Sequence, residues 1–244
     1  MQTNTEIIKQ HFKKSIDKYN SNAVVQKDMA RELVNLLTIN DFEKVLELGS
    51  GTGFLTEQLS ENIKFKEYWT NDLVEKSEMF VKQYIPDAKF FDGDFRKINF
   101  DSKFDLIASN AVFQWFCDFS EIVKLCTNLL NSGGTLIFST FLPDNFEEIR
   151  QICGLALDYL TEKELKDILE KEFDVLKTES RKTILTFDNP LKVLTHMKNT
   201  GVNSLSDEVW SISKIKDFCA EYQNKFPNLQ LTYSYILIAA KLKN

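Results

Sequence analysis

The sequence predicts an α/β fold built on a mostly parallel sheet, and three observations carry that prediction. Strand-like and helix-like patterns alternate through the first part of the chain, the order that helix crossovers between parallel strands produce. A glycine-rich turn, Gly49-Ser50-Gly51-Thr52-Gly53, joins the apolar run Val45-Leu46-Glu47-Leu48 to a helix pattern carried by Phe54, Leu55 and Leu59. The 244 residues are 43% apolar and 27% charged, an ordinary globular composition in a chain long enough for one large α/β domain.

Residues 5–18 and 22–37 read as two helices ahead of the sheet. In the second, Val24-Val25, Met29, Leu33 and Leu36-Leu37 recur at three- and four-residue steps, one face of a helix. Strands are expected near 44–48, 67–71, 88–91, 104–109 and 134–140, with helices near 54–61, 74–84 and 119–130 between them. Asn131-Ser132-Gly133-Gly134 reads as a helix stop before the apolar strand 135–139. The rhythm then changes. Helices near 145–157 and 161–171 precede an extended stretch, 173–187, and two more helical patterns, 189–199 and 207–225. A last strand, 231–242, places Tyr233, Tyr235, Leu237 and Ala239 on one face. With no repeat, low-complexity tract or linker, residues 1–244 are expected to form a single domain. The helices of 5–37 lie ahead of its sheet, and a helical insertion at about 189–225 comes before its last strand.

The glycine turn is the first candidate site. Glycine lets a backbone turn tightly and approach a ligand that a side chain would push away. A dinucleotide-binding turn reads G-x-G-x-x-G; here the third glycine comes one residue early, at Gly53, and Phe54 takes the dinucleotide position. Asp72 closes the second strand about 20 residues beyond the turn, where a carboxylate can accept both hydroxyl hydrogens of a ribose. It reads alternatively as an acidic helix cap. In Phe91-Asp92-Gly93-Asp94-Phe95, Asp94 can accept an adenine amino hydrogen with Phe95 against the ring; the alternative is a plain Asp-Gly turn. Ser109-Asn110-Ala111 closes the fourth strand, near the point where open sheets bind ligands. Their common order and spacing point to an adenosyl cofactor rather than NAD. The cofactor-binding candidates are Glu47, Gly49, Ser50, Gly51, Gly53, Asp72, Leu73, Asp94, Phe95 and Asn110.

Glu47 ahead of G-x-G-x-G resembles the first motif of S-adenosylmethionine-dependent methyltransferases, in which this loop holds the amino-acid end of the cofactor. From about Phe12 to Lys241 the chain resembles the malonyl-(acyl-carrier protein) O-methyltransferases that start biotin synthesis. The matching residues begin with Phe12 through Tyr19-Asn20, then Gln26 and Met29-Ala30-Arg31. The block from Phe104 through Asn110 to Gln114-Trp115 is the most specific, and Ser139-Thr140-Phe141 with Phe146 to Arg150 follows it. Leu185 to Asp188, Met197 to Val202 around Gly201, and Leu231-Thr232-Tyr233 complete the match. Two departures stand out: Ser50 where many relatives have Cys, and Asp158 where the family often has Arg. The resemblance implies a class I, Rossmann-like methyltransferase fold with a mixed, mostly parallel seven-stranded sheet, helices on both faces and a helical insertion before the last strand. It further implies S-adenosylmethionine as cofactor, S-adenosylhomocysteine as product, and methylation of the free carboxylate of malonyl-acyl carrier protein or malonyl-CoA.

A carboxylate with a pKa near ~4 is ionised at neutral pH, so its methylation requires no general base. That suits a chain with only His11 and His196, both expected to be bystanders. Catalysis then comes from positioning, which can contribute up to ~7–11 kcal/mol. Arg150 is the candidate clamp for the carboxylate, through its planar fork; alternatively it faces solvent beside Glu147. The resemblance places Tyr19 at a lid over the site, where it orients the acceptor; alternatively it packs on the core edge. Tyr19 and Arg150 are thus the catalytic candidates, and Phe113, Gln114 and Trp115, after the fourth strand, are expected to wall the acceptor. An acidic carrier would dock on basic residues, with Lys13, Lys14 and Lys18, and Arg181, Lys182, Lys192 and Lys198 of the insertion, as candidates.

A net charge of −6 argues against general attraction to nucleic acid. No apolar run reaches the ~18 residues of a membrane span, and residues 1–14 lack the apolar segment of a secretory signal. Cys117, Cys126, Cys153 and Cys219 are scattered without metal-ligand spacing, so free thiols in a cytoplasmic, monomeric protein without a metal are expected. Two other readings stay open: a methyltransferase of another small carboxylic acid or CoA thioester, and a non-catalytic cofactor-binding partner subunit.

Overall fold

The computed structural model describes residues 5–154, 157–200 and 210–244. Two helices, α1 (Thr5–Asn22) and α2 (Val24–Val34), precede the sheet. Then come β1 (Asp41–Leu48), α3 (Phe54–Asn62), β2 (Lys64–Asp72), α4 (Ser77–Tyr84), β3 (Lys89–Asp92) and β4 (Phe104–Asn110). After these follow α5 (Phe119–Leu129), β5 (Leu130–Phe141), α6 (Glu147–Cys153), α7 (Glu162–Leu169) and β6 (Phe173–Thr186). α8 (Pro190–Asn199), α9 (Ile212–Lys225) and β7 (Gln230–Leu242) complete the described elements.

All seven strands join one sheet in the order β3-β2-β1-β4-β5-β7-β6. β1 to β5 pair in parallel, and β7 runs antiparallel to both β5 and β6. The sheet is therefore mixed and mostly parallel. Strand order reverses between β1 and β4, which opens a crevice at their C-terminal ends. Side chains alternate across the sheet: Val45, Leu106 and Ala108 enter one core with Met29 and Leu33 of α2, Leu59 of α3 and Val193 of α8. Leu46 and Ile107 enter the other with Ile122 and Cys126 of α5 and Leu165 and Leu169 of α7. Each such buried leucine contributes about 1.5–3 kcal/mol, so the two cores hold helices on both faces.

The boundaries depart from expectation for local reasons. α1 extends to Asn22. α4 starts at Ser77 rather than 74, because Asp72 Oδ1 accepts the Val74 N–H and the chain turns there first. α6 stops at Cys153 rather than 157: Gly154 takes a left-handed conformation (φ 64°) and donates its N–H to the Arg150 carbonyl. The expected stop at 131–134 is already strand, with Leu130 paired to Phe104 and the register shifting before Leu106. Residues 155–156, Gly201, Val202 and 207–209, all within segments read above, lie outside the described residues.

Candidate active site

The crevice at the sheet reversal is a cavity of about 280 Å³, lined from the ends of β1, β2 and β4 and covered by residues of α1 and α2. Its floor is Glu47, 1% exposed at the end of β1. One carboxylate oxygen, Oε2, accepts from Thr56 Oγ1 at 2.6 Å and from the Tyr68 hydroxyl at 2.7 Å. The other, Oε1, is buried without a partner among the described residues. Burial raises the Glu47 carboxyl to about 7, against hydrogen bonding from Thr56 and Tyr68 that lowers it, with nearby Asp72 raising it further. A buried oxygen of this kind calls for a charged donor such as an ammonium.

The turn above it is shaped by contact. A Cβ on Gly49 (φ +75°) would lie 2.4 Å from a Val112 methyl, and one on Gly51 (φ +54°) 3.3 Å from the Phe12 ring. Side chains are therefore excluded where the backbone meets the cavity. The Gly49 and Ser50 N–H groups donate to the Asn71 carbonyl at 3.0 Å, and the Gly51 N–H donates to Asp72 Oδ2 at 2.8 Å. Gly53 caps α3 and lies against Tyr84, outside the cavity lining. Asp72 is 7% exposed, and burial raises its carboxyl pKa against the Val74 and Gly51 N–H groups. Leu73 lies beside it in the lining.

At the far end, Asp94 caps a 3-10 turn (Phe95–Lys97) and receives the Arg96 guanidinium, with Nε at 3.0 Å and Nη2 at 2.6 Å. Burial alone would raise its pKa; the Arg96 fork and backbone N–H outweigh that and hold it below the usual carboxylate range. Arg96 also lies 4.7 Å over the Phe116 ring and donates to Thr5 Oγ1 of α1 at 3.3 Å. Phe95 is 4% exposed and borders the cavity. This end offers a slot with an aromatic edge and a carboxylate, suited to a flat heterocycle.

Asn110 bridges the β4 exit. Its Nδ2 donates to the Gln26 carbonyl at 3.0 Å and its Oδ1 accepts from Ser139 Oγ at 2.6 Å. Ala111 follows in a left-handed turn (φ 54°), and Gln114 and Trp115 line the cavity beyond it. Gln114 donates through Nε2 to the Ala111 carbonyl at 2.6 Å, while its Oε1 is buried without a partner among the described residues. Tyr19 is partly buried in the lining, its ring 5.2 Å from Phe12 and 6.0 Å from Phe54. Burial raises its hydroxyl pKa, with the Asp72 charge adding to the shift.

Two further candidates, besides Gly53, lie elsewhere. Phe113 is 3% exposed within the aromatic cluster of Phe119 and Phe138, where it belongs to the core on the other side of the sheet rather than to the acceptor wall. Arg150 is exposed on α6, outside the lining, with Nη1 donating to the Pro143 carbonyl at 2.6 Å; its expected neighbour Glu147 is not the partner. Among the docking candidates, Arg181 and Lys182 sit on β6 rather than in the insertion, paired with Glu179 and Asp144 respectively.

Several lining residues escaped the sequence reading of the site. Gln26, 4% exposed on the buried face of α2, faces the cavity with its Oε1 unpartnered among the described residues. Its signal was a polar residue inside an apolar stripe. Tyr159 lines the acceptor side and accepts from Asn145 Nδ2 at 3.1 Å; burial raises its hydroxyl to about 12. Asn71, buried beside Asp72, ties the glycine turn to the loop after β3 through the Gly93 carbonyl at 2.8 Å.

Comparison with known proteins bears on the family and the fold. A family model described as a methyltransferase domain matches residues 46–138. The malonyl-(acyl-carrier protein) O-methyltransferase of Haemophilus ducreyi is 34% identical over 98% of this chain and 97% of its own length. That of Bacteroides thetaiotaomicron is 34% identical over 98% and 99%. Among solved structures, the YcgJ protein of Bacillus subtilis superposes with a TM-score of 0.65 at 13% identity, covering 89% of this chain and 99% of that one. The N-methyltransferase NodS of Bradyrhizobium japonicum, solved with S-adenosyl-L-homocysteine, gives 0.59 at 12% identity, covering 97% and 99%. The two structures share the fold.

Proposed function

The chain belongs to the malonyl-(acyl-carrier protein) O-methyltransferase family, and from that premise we propose that it methylates the free carboxylate of malonyl-acyl carrier protein using S-adenosylmethionine. One observation carries the cofactor assignment: the unpartnered Oε1 of Glu47, buried at the floor of a cavity whose glycine turn admits no side chain. When bound, the cofactor supplies a methyl group on a sulfonium, open to in-line displacement, and S-adenosylhomocysteine is the product.

Glu47 receives the ammonium of the amino-acid end, and Gly49, Ser50 and Gly51 let the backbone close around it. Asp72 accepts the ribose hydroxyls beside Leu73, while Asp94 and Phe95 hold the adenine. Asn110 fixes the β4 exit, so that Gln114 and Trp115 border the acceptor. Tyr19 closes the site from α1, and Arg150, exposed on α6 one turn beyond the cavity-lining Phe146, would have to leave the Pro143 carbonyl to clamp the acceptor carboxylate. That oxygen is already ionised at neutral pH, so the residues orient it and exclude water rather than remove a proton. Methylation hides the negative charge, allowing fatty-acid enzymes to elongate the chain toward the pimeloyl precursor of biotin.

The test is methyl transfer from labelled S-adenosylmethionine to malonyl-carrier protein, with malonyl-CoA and acetyl-carrier protein alongside. Transfer to the malonyl-carrier protein and none to the acetyl form is expected. Equal use of malonyl-CoA would move the substrate to the free thioester. Cofactor binding without any transfer would leave a non-catalytic subunit.

A further inference from the structure

Behind the acceptor end of the cavity lies a buried polar pair that none of these roles uses. His196 of α8 is 6% exposed, and its Nε2 sits 2.7 Å from the hydroxyl of Tyr233 on β7, which is fully buried. Burying an imidazole and a phenol is costly unless each satisfies the other, and such a bond fixes orientation where apolar side chains would supply only volume. Phe187 packs on the His196 ring at 5.2 Å, and Phe146, a cavity-lining residue, stands edge-on to Tyr233 at 4.8 Å. Burial lowers the His196 pKa to about 4, so the ring is neutral at physiological pH.

The pair reaches the cavity through two side chains. Thr200 and Gln26 both line it, and both flank the Tyr233 hydroxyl. Thr200 Oγ1 donates to the His196 carbonyl at 2.9 Å, which locks its rotamer to α8. Gln26 is held at its backbone by Asn110, so Tyr233 is the neighbour able to orient its amide.

We propose that His196 and Tyr233 are positioning residues for the acyl acceptor: His196 sets the Tyr233 hydroxyl, which orients the Gln26 amide at the wall facing the malonyl group, beside a Thr200 already fixed by α8. The proposal rests on the carboxyl-methylation reading above. Tyr233→Phe removes a single oxygen and keeps the ring; His196→Leu removes the bond; His196→Gln retains a polar end near the position of Nε2. Each variant is compared with wild type for S-adenosylhomocysteine binding by calorimetry, for malonyl-carrier protein binding in the presence of S-adenosylhomocysteine, and for steady-state transfer.

The expected result is a KM and a dissociation constant for malonyl-carrier protein raised about tenfold in Tyr233→Phe and His196→Leu, the loss of one buried hydrogen bond. kcat should stay within about twofold, S-adenosylhomocysteine affinity should be unchanged, and His196→Gln should recover most of the loss. Unchanged carrier affinity in Tyr233→Phe overturns the positioning role alone. So does an equal loss of S-adenosylhomocysteine affinity, or a His196→Gln variant no better than His196→Leu. Wild type that binds malonyl-carrier protein without methylating it overturns the reaction instead, and wild type that does not bind it overturns both.

Discussion

Glu47 combines a buried carboxylate with an oxygen that has no hydrogen-bond donor among the described residues, and the two facts pull stability and binding in opposite directions. Its folded-state pKa of about 7 lies above the ordinary 4.5, so between those values the folded protein holds a proton that the unfolded chain has released. The stability of the cofactor-free protein therefore falls as pH rises from about 4.5 through 7. Glu47→Gln should remove this penalty, raising the stability of the cofactor-free protein at pH 8 by up to about 3 kcal/mol, while weakening S-adenosylhomocysteine binding more than tenfold. Thermal melts and calorimetry at pH 5 and 8 check both signs. Asp72→Ala should likewise weaken cofactor binding at least tenfold, since it removes the acceptor of the Gly51 N–H as well. Arg150→Ala should spare cofactor affinity and depress turnover about tenfold or more, read by single-turnover transfer. Glu47, Asp72 and Asn110 were legible as lining residues because their positions follow from ending a strand at the crevice. Gln26 and Tyr159 were not, because each reaches the cavity only through packing of distant segments. Phe113 shows the converse: an aromatic after a strand was drawn into the core by Phe119 and Phe138.

Helix α6 depends on a buried charge. Glu148 is 0% exposed and accepts from the Thr232 N–H at 2.9 Å and Thr232 Oγ1 at 2.7 Å, with Gln230 Nε2 at 3.3 Å. The carboxylate thus fastens the first residues of β7 to the helix that carries Arg150. Glu148→Ala would leave the Thr232 N–H and hydroxyl without their partner, and a loss of about 2–4 kcal/mol is expected from urea unfolding. The elements themselves were legible from periodicity, since the strands and helices of the parallel half repeat the same short units. Their ends were harder. The early stop of α6 depends on the left-handed turn at Gly154, and the late start of α4 on the Asp72 side chain. Gly133 and Gly134 sit in strand rather than in a helix stop, because pairing with β4 reaches back to Leu130.

For the molecule as a whole, the proposed reaction would bring a chain of net charge −6 to an acidic carrier protein. Lys13, Lys14 and Lys18 stand exposed on α1, and Lys192 and Lys198 on α8, the helix packed beside it. Reversing these charges together should raise KM for malonyl-carrier protein about tenfold at low salt, leave cofactor affinity unchanged, and lose much of its effect at high ionic strength. Kinetics at two salt concentrations decide it, and unchanged kinetics remove the patch. The order of the sheet was legible only in part: helix crossovers announce the parallel half, but nothing local in Gln230–Leu242 says that it inserts between β5 and β6. That insertion bears on how the protein is made. β5 ends at Phe141, and its outer edge finds no mate until Gln230 and the residues after it leave the ribosome. Until then the nascent chain carries an unpaired apolar ribbon, Leu136 to Phe138, of the type that recruits other chains. Final assembly must therefore wait until synthesis has passed β7, leaving a long window in which nothing in the sheet yet covers that edge.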